Sequence, residues 1–243
     1  MNLLVDIGNS RLKWAIENQG SISTPAVNSC FKEQLVPYFD EHWSQLNKPD
    51  KVIVSNVAGP DIQARLDRWL NDQWEISCKR FSSQRSAVGV VNGYTEPDRL
   101  GADRWACLIA VKKYFSIPAC IVDCGTAITV DFIDESGIHK GGLIIPGLKL
   151  MERSLIENTC EIERLGQFND GLLGTDTGSG IVRGILVAAC GMIEKITSTL
   201  AEDYRCTPKI LLTGGNAERI SSDLNLSHKI IPDLVLRGLT AVI

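Results

Sequence analysis

The sequence lacks the features of a membrane-spanning or nucleic-acid-binding protein. Its longest apolar stretch, 185–193, is too short to cross a bilayer. It has no dense run of Lys and Arg, and a net charge of −4 does not favour binding to a phosphate backbone. The N-terminus has no basic start, and Asp6 interrupts any apolar core that a signal peptide would need. We therefore expect a cytoplasmic protein that binds neither nucleic acid nor membrane.

Histidine is scarce, and the cysteines have no metal-binding spacing. The three histidines are widely separated, which argues against a His-dependent catalytic triad. None of the eight cysteines belongs to a Cys-x-x-Cys pair. Cys120 and Cys124 flank Asp123, but their spacing matches no zinc pattern. Because the chain has no export signal, we expect reduced thiols, not disulfides.

The two halves of the chain do share a short motif. Residues 4–10 read Leu-Val-Asp-Ile-Gly-Asn-Ser, and residues 121–127 read Ile-Val-Asp-Cys-Gly-Thr-Ala. In each copy an apolar strand ends on Asp-x-Gly, at Asp6 and Asp123, and a second strand follows. A carboxylate at the end of a buried strand needs water, a cation or hydrogen-bond donors, and the glycine lets the backbone approach a ligand. The repeat indicates a duplicated domain that grips a phosphorylated ligand between two lobes.

The rest of the chain alternates strands and helices, as in an α/β protein. Strands are predicted at 1–7, 11–17, 51–56, 119–124, 127–133, 138–145 and, last, 209–213. Helices are predicted at 60–70, 99–114 and about 177–200, with another opening at 146–147 and one within 31–46. Pro37 would start, kink or split the helix within 31–46. We expect an N-terminal lobe of residues 1–116 and a C-terminal lobe of residues 117–243.

Three sequence blocks together resemble one family. They are Val-Asp-Ile-Gly-Asn-Ser at 5–10, Asn-Gly-Tyr-Thr-Glu-Pro-Asp-Arg-Leu-Gly-Ala-Asp-Arg-Trp at 92–105 and Asp-Cys-Gly-Thr-Ala at 123–127. Gly-Gly-Leu-Ile-Ile-Pro-Gly at 141–147 and Met151 match as well. In this order, over nearly the whole chain, they resemble type III pantothenate kinases. The resemblance implies a duplicated actin-like (ribonuclease H-like) ATPase fold with an interlobe cleft. It also implies ATP-dependent phosphorylation of the 4′-hydroxyl of pantothenate, the first step of coenzyme A biosynthesis.

The resemblance assigns the nucleotide and its cations to the two Asp-x-Gly turns. ATP is expected at Thr126 and along the first turn, at Asp6, Ile7, Gly8, Asn9, Ser10, Arg11, Leu12 and Lys13. Asp6 is expected near Mg²⁺, directly or through water, and Asp123 near a monovalent cation, K⁺ or NH₄⁺. The alternatives are two Asp residues that cap tight turns and, for Lys13, a solvated strand residue.

The resemblance places pantothenate beside the block at 92–105. Asp103 is the expected base, because phosphoryl transfer to an alcohol needs the hydroxyl oriented and its proton accepted. Arg104 is expected to pair with the pantothenate carboxylate, with Tyr94, Gly101 and Ala102 also at the substrate. The alternatives are a helix-terminal carboxylate at Asp103 that complements the helix dipole and an ordinary half-buried tyrosine.

The resemblance also implies a homodimer, because Thr177 aligns with a threonine that reaches the substrate from the opposite protomer. A helix cap is the alternative for Thr177. The chain departs from the family pattern here, since Gly-Ser-Gly at 178–180 makes a loose turn and 158–162 lacks an expected proline. Thr-Gly-Gly at 213–215 resembles the turn that lies against the nucleotide in this fold, or is a tight turn before a helix.

Two other functions are compatible with the fold. One is a regulatory or binding homologue without turnover, and the other is a kinase or phosphatase of another small metabolite. The presence of Asp6, Asp103, Arg104 and Asp123 together argues against the first, because a retired site has no chemical need for all four.

Overall fold

The structure is a computed structural model that describes residues 1–29, 34–159 and 171–243. Its strands are β1 Asn2–Ile7, β2 Leu12–Asn18, β3 Ser21–Ile22, β4 Ala26–Asn28, β5 Lys51–Asn56, β6 Lys79–Arg80, β7 Ser86–Ala87, β8 Val90–Val91, β9 Ala119–Cys124, β10 Ala127–Ile133, β11 His139–Pro146, β12 Lys209–Thr213 and β13 His228–Ile230. Its α-helices are α1 Leu35–His42, α2 Pro60–Trp74, α3 Ala102–Tyr114, α4 Leu148–Asn158, α5 Thr177–Asp203, α6 Ala217–Ser221 and α7 Leu234–Thr240. Two compact units contain them: unit 1 is Met1–Phe115 with Asp233–Ile243, and unit 2 is Ser116–Pro232.

A mixed sheet with helices on both faces forms unit 1. The strand order is β3-β2-β1-β5-β6, and β4 also pairs with β2. β1 runs antiparallel to β2 and parallel to β5. Because side chains alternate along a strand, Leu3, Val5 and Ile7 enter the core that α1 and α2 cover. Leu4 and Asp6 therefore lie on the other face, the side on which α3 and α7 contact the sheet.

Unit 2 repeats this sheet. Its strand order is β11-β10-β9-β12-β13, with β9 antiparallel to β10 and parallel to β12. The strand that ends on Asp-x-Gly is central in each sheet, flanked by its antiparallel hairpin partner and a parallel strand. The duplication predicted from the two motifs is confirmed.

Helix α2 buries the apolar face that its sequence spacing predicts. Its predicted apolar stripe is buried throughout: Ile62, Leu66, Trp69 and Leu70. Trp69 lies edge-on to Trp43, with ring centroids 5.7 Å apart, and Trp43 stacks on Phe39 at 4.2 Å. Large rings that bury this much apolar surface dominate the energy of a small core. The core of unit 1 is therefore anchored by contacts between α1 and α2.

Helix α5 is the main core helix of unit 2. By length and composition alone its 27 residues could cross a membrane. However, Leu186, Ala189 and Ile193 are buried in the core of unit 2 together with strands β9, β10 and β12. Contacts within unit 2 therefore account for part of the apolar composition of α5, whose most apolar window is 33% buried.

The structure differs from the predicted elements mainly in short segments. The 209–213 strand is not the last, because β13 follows it. Helix α3 starts at Ala102, not at 99, because Pro97–Arg99 form a separate 3₁₀ turn. Helix α1 spans Leu35–His42, with Pro37 in its first turn, where a missing N–H costs no helical bond. The start of the predicted 31–46 helix lies outside the described residues.

The C-terminal helix belongs to unit 1, although 117–243 was expected to form one lobe. A Cβ atom at Gly238 would lie 2.1 Å from the carbonyl oxygen of Ala106, so α7 and α3 pack almost backbone to backbone. Only glycine permits this approach. The predicted boundary near 116 agrees with the start of unit 2 at Ser116, but unit 2 ends at Pro232.

Candidate active site

The first Asp-x-Gly turn places polar groups around Asp6 at the end of β1. Asp6 lies opposite Lys13 in the antiparallel ladder and opposite Ser55 in the parallel ladder. The N–H of Gly8 donates to the carbonyl oxygen of Arg11 at 2.9 Å and closes the turn. Paired residues in a ladder present their side chains to the same face, so Lys13 lies beside the carboxylate and not on a separate solvated surface.

The expected ATP-binding residues of this turn fall into two groups. Ile7 and Leu12 are buried in the core, so that only their backbone atoms are available to a ligand. The four residues between them, Gly8, Asn9, Ser10 and Arg11, are half-buried or exposed and form the turn itself. A short turn of this kind presents backbone N–H groups, which suit phosphate oxygens.

The second turn surrounds Asp123 with glycine. Asp123 is opposite Thr129 in the antiparallel ladder and opposite Thr213 in the parallel one. A Cβ atom at Gly214 would lie 2.3 Å from Asp123 Oδ1, and one at Gly125 would lie 3.3 Å from it. Gly214 also has φ of +88°, which disfavours any other residue. Glycine at 214 therefore allows the backbone to lie this close to the Asp123 carboxylate.

Backbone bonds hold the rest of the second turn. Thr126 accepts the N–H of Gly147 at 2.8 Å, and a Cβ atom at Gly147 would lie 2.5 Å from the Thr126 carbonyl oxygen. Cys124 accepts the N–H of Asn216 at 2.9 Å. The three family-like segments of unit 2 around Thr126, Gly147 and Gly214 thus meet at one point.

Tyr94, Arg104 and Asp103 form the expected substrate group in unit 1. Arg104 Nη1 donates to the Tyr94 hydroxyl at 2.7 Å, and its guanidinium lies 5.5 Å from the centre of the Tyr94 ring. Asp103 Oδ1 accepts the N–H of Arg104 at 2.8 Å. Arg104 is only 7% exposed, so its direction is fixed by the surrounding protein. Tyr94 is therefore a partner of the arginine as well as a half-buried ring.

Two neighbours shape this group. A Cβ atom at Gly101 would lie 2.6 Å from Asp103 Oδ1, so glycine gives the carboxylate its room, and Ala102 begins helix α3 directly after it. Asn92 is buried and donates to the carbonyl of Pro97 at 3.0 Å, while its Oδ1 accepts the N–H of Tyr94 at 3.0 Å. Asn92 thus fixes the loop that carries Tyr94.

Thr177 lies at the start of α5, but it is not the helix cap. Asp176 caps the helix, accepting the N–H of Ser179 at 2.9 Å and its hydroxyl at 2.7 Å. These bonds lower the pKa of Asp176. A Cβ atom at Gly174 would lie 2.1 Å from the N of Gly180, which explains the glycines around this turn. The Thr177 side chain is exposed and is available for another role.

The cysteines and histidines supply no metal-binding cluster in the described ranges. Six cysteines of these ranges are free thiols, and Cys30 and Cys160 lie outside them. Burial raises the pKa of the Cys124 thiol, and the charge of Asp123 raises it further. Across 1–29, 34–159 and 171–243, no group of three or more His, Cys, Asp or Glu side chains could hold a metal ion.

Sequence reasoning missed several partnered polar residues. His139 contacts Asp131 at 2.8 Å between β11 and β10, and both are buried. His228 contacts Ser221 at 2.6 Å. These histidines are separated in sequence but are not isolated in space. Ser55 was also missed, and its place beside Asp6 becomes visible only from strand pairing.

Comparison with solved structures shows the fold. A Campylobacter jejuni protein described as a Baf family transcriptional activator matches 99% of this chain and 96% of its own, with a TM-score of 0.64 and 21% identity. A Sinorhizobium meliloti protein described as a 2-dehydro-3-deoxygalactonokinase matches 100% of this chain and 97% of its own, with a TM-score of 0.56 and 12% identity. With the repeated sheet order, these likenesses confirm the actin-like, sugar-kinase-like fold class.

Comparison of sequences shows the family. A relative from Nitrosococcus oceani named type III pantothenate kinase is 36% identical over 248 residues, covering 100% of this chain and 93% of the relative. The family model described as type III pantothenate kinase matches residues 2–199. The chain therefore belongs to the type III pantothenate kinase family.

Proposed function

We propose that this chain transfers the γ-phosphoryl group of ATP to the 4′-hydroxyl of pantothenate, the first step of coenzyme A biosynthesis. The observation that carries the proposal is the group formed by Tyr94, Arg104 and Asp103. It sets a carboxylate that can accept a proton directly beside a buried, oriented guanidinium. Pantothenate carries a hydroxyl, which requires a proton acceptor, and a carboxylate, which pairs with a guanidinium.

Asp103 acts as the base in this proposal. The hydroxyl oxygen of pantothenate attacks the γ-phosphorus, and its proton passes to the Asp103 carboxylate. The new P–O bond forms as the bond between the γ-phosphorus and the bridging oxygen breaks, and ADP leaves. Such a transition state is loose, so the main task of the protein is to position the groups. The tight fit of Gly101 against Asp103 Oδ1 supports this positioning role.

Arg104 binds the carboxylate of pantothenate. A guanidinium pairs with a carboxylate through two parallel hydrogen bonds, which fix direction as well as charge. The Tyr94 hydroxyl already holds one guanidinium nitrogen at 2.7 Å, which limits the rotation of the side chain. Substrate binding therefore costs less conformational entropy, because the Arg104 side chain is already partly ordered.

The Asp-x-Gly turns suit phosphate and cations. Mg²⁺ is commonly held by one or two carboxylates together with substrate phosphates, so Asp6 is a suitable donor. Asp123 lies at the end of β9 in the second turn, and hard cations take oxygen ligands, so the monovalent cation, K⁺ or NH₄⁺, is placed at this carboxylate. Bound cations would neutralise phosphate charge, while Lys13 and the backbone of residues 8–11 would orient the phosphates.

We also propose a homodimer. Unit 2 exposes several large apolar side chains on β11, α4, α5 and the segment before α5: Leu143, Ile144, Leu150, Leu155, Leu172, Leu173 and Val187. β11 is also an edge strand of its sheet, and an exposed apolar edge favours pairing with another chain. Thr177 begins α5 within the same unit, so the proposed interface and the cross-subunit threonine are compatible. We propose a cytoplasmic enzyme that needs neither membrane nor nucleic acid.

A coupled assay of ADP release tests the proposed function. With ATP, Mg²⁺ and KCl present, ADP release should require pantothenate and yield one phosphopantothenate per ADP. Release with other alcohols but not with pantothenate would indicate a kinase of another metabolite. Nucleotide binding without release under any condition would indicate a regulatory homologue.

A further inference from the structure

Ser55 is a buried hydroxyl with no hydrogen-bond partner among the residues that the structure describes. It is 0% exposed and lies directly opposite Asp6 in the parallel ladder of β1 and β5. Its neighbours on the same face of these two strands, Leu4 and Ile53, are fully buried and apolar. The nearest charged group in the ladder is therefore the carboxylate of Asp6.

An unpaired hydroxyl at this position lowers stability. Burying a hydroxyl without a partner costs free energy that an alanine would not cost. Since buried polar groups are nearly always paired, each exception calls for an explanation, and a ligand-dependent role is one. Alanine at position 55 would therefore make the strand more stable. The serine calls for a role that the strand alone does not show.

Unit 2 has a buried hydroxyl residue at the same position of its sheet. Thr213 is 1% exposed and lies opposite Asp123 in the parallel ladder of β9 and β12. The two parallel strands read Lys-Val-Ile-Val-Ser at 51–55 and Lys-Ile-Leu-Leu-Thr at 209–213. Each Asp of the duplicated motif thus has a buried hydroxyl residue on its parallel neighbour. Packing alone does not require a hydroxyl at both places.

We propose that Ser55 is a positioning residue for Asp6. In the nucleotide-bound state its O–H donates to one oxygen of the Asp6 carboxylate, and the other oxygen faces the cation and phosphates. This bond, for which the described residues show no substitute, forms on nucleotide binding, so the hydroxyl strengthens nucleotide binding at the expense of stability without nucleotide. This inference rests on the proposed place of the nucleotide at Asp6.

The test compares Ser55→Ala with the wild-type protein in two measurements. Titration calorimetry with MgADP should show affinity about tenfold weaker for Ser55→Ala, the factor that one charged hydrogen bond can supply. Thermal unfolding without ligand should give Ser55→Ala a Tm equal to or above that of wild type. A residue with only a structural role would not produce this opposite pair of effects.

Two further variants separate the hydroxyl from side-chain volume. Ser55→Thr should keep MgADP affinity, because Thr213 shows that the equivalent strand position accepts threonine. Ser55→Cys should behave like Ser55→Ala, because a thiol donates only weakly. Thr240→Val is the matched control, since the buried Thr240 hydroxyl already donates to the carbonyl of Leu236 at 3.1 Å. This control should lower Tm and leave MgADP affinity unchanged.

Equal MgADP affinity of wild type, Ser55→Ala and Ser55→Cys would overturn the inference, even if the wild-type chain phosphorylates pantothenate. A lower ligand-free Tm of Ser55→Ala with unchanged MgADP affinity would also overturn it. Failure of pantothenate to support ADP release would instead reject the proposed function. The binding result with MgADP would stand in that case.

Discussion

The Asp103 carboxylate is held in one direction by a hydrogen bond at the start of helix α3. One carboxylate oxygen accepts the N–H of Arg104, as an acid in the first turn of a helix does, and Gly101 leaves room for that rotamer. The same bond fixes the direction of the carboxylate. A base that is already oriented loses little freedom when the substrate hydroxyl arrives.

Asp103→Asn should therefore lower kcat by about 10²–10⁴-fold, because the amide cannot accept the hydroxyl proton. Steady-state ADP release with pantothenate measures the loss, and thermal unfolding checks that the fold persists. Asp61→Asn is the matched control, since Asp61 is also an acid in the first turn of a helix, α2. A kcat of Asp103→Asn close to that of wild type would rule out the base assignment.

The two motif carboxylates should differ in the cation they serve. Asp123→Ala should remove stimulation by K⁺ or NH₄⁺, because hard cations take oxygen ligands and the substitution removes the carboxylate of the second turn. Asp6→Asn should instead raise the Mg²⁺ concentration that half-maximal turnover requires. Rates measured against KCl at constant ionic strength, and against MgCl₂, separate the two. If the Asp123→Ala enzyme still responds to K⁺, the ion binds elsewhere.

At the scale of elements, a polar network ties α2 to β6 in unit 1. Asp67 Oδ1 accepts Gln63 Nε2 at 2.9 Å and the Cys78 thiol at 3.2 Å, and Arg80 pairs with Asp67 Oδ2. Burial opposes ionisation of Asp67, but these hydrogen bonds and the charge of Arg80 outweigh it and lower its pKa. Burial, together with Asp67, raises the pKa of the Cys78 thiol to about 11, so the thiol keeps its proton.

The network should make stability depend on pH. Because the folded pKa of Asp67 lies below the unfolded value of about 3.9, its stabilisation is complete above that pH and is lost as pH falls through the folded pKa. Asp67→Asn should cost about 1 kcal/mol of unfolding free energy at pH 7, and this difference from wild type should shrink as pH falls below the unfolded pKa of about 3.9. Urea unfolding at pH 7 and at successively lower pH measures it. Asp72→Asn is the control, because Asp72 is exposed on the same helix. A loss of unfolding free energy in Asp67→Asn that does not change with pH would contradict the assignment.

Long periodic elements could be predicted, and short ones could not. The hairpins β1–β2 and β9–β10 follow from alternation broken by Asp-x-Gly, and α2 follows from its apolar stripe. Helix α6 has 5 residues, β13 has 3 and α7 has 7, so none contains enough turns or alternations to show a period. Their places come from packing, such as Gly238 against Ala106, which only the fold reveals.

The same distinction holds for the candidate site. Asp6, Asp103 and Asp123 could be identified because they lie in contiguous motifs. Ser55 lies opposite Asp6 through strand pairing, and Asn92 bonds to Tyr94 within a loop, and no spacing in the sequence signals either placement. Similarly, threonine is a common helix cap, so the sequence alone allows that role for Thr177, whereas the structure gives it to Asp176.

For the whole molecule, the decisive question is whether one site draws residues from two chains. The cap at Asp176 leaves Thr177 without a capping function, and Thr177 is exposed at the start of α5. Thr177→Ala should therefore leave the helix intact and lower activity only if Thr177 contacts substrate. Thr175→Ala, exposed just before the helix, is the matched control.

Mixing variants should then restore activity. In a heterodimer of Asp103→Asn and Thr177→Ala chains, two-fold symmetry gives one site both substitutions and the other site neither. Co-refolded mixtures should approach about a quarter of wild-type activity, because about half of the dimers are mixed and each has one intact site. Size-exclusion chromatography with differently tagged chains confirms that heterodimers form. If they form and activity stays at the level of the separate variants, Thr177 serves the site of its own chain.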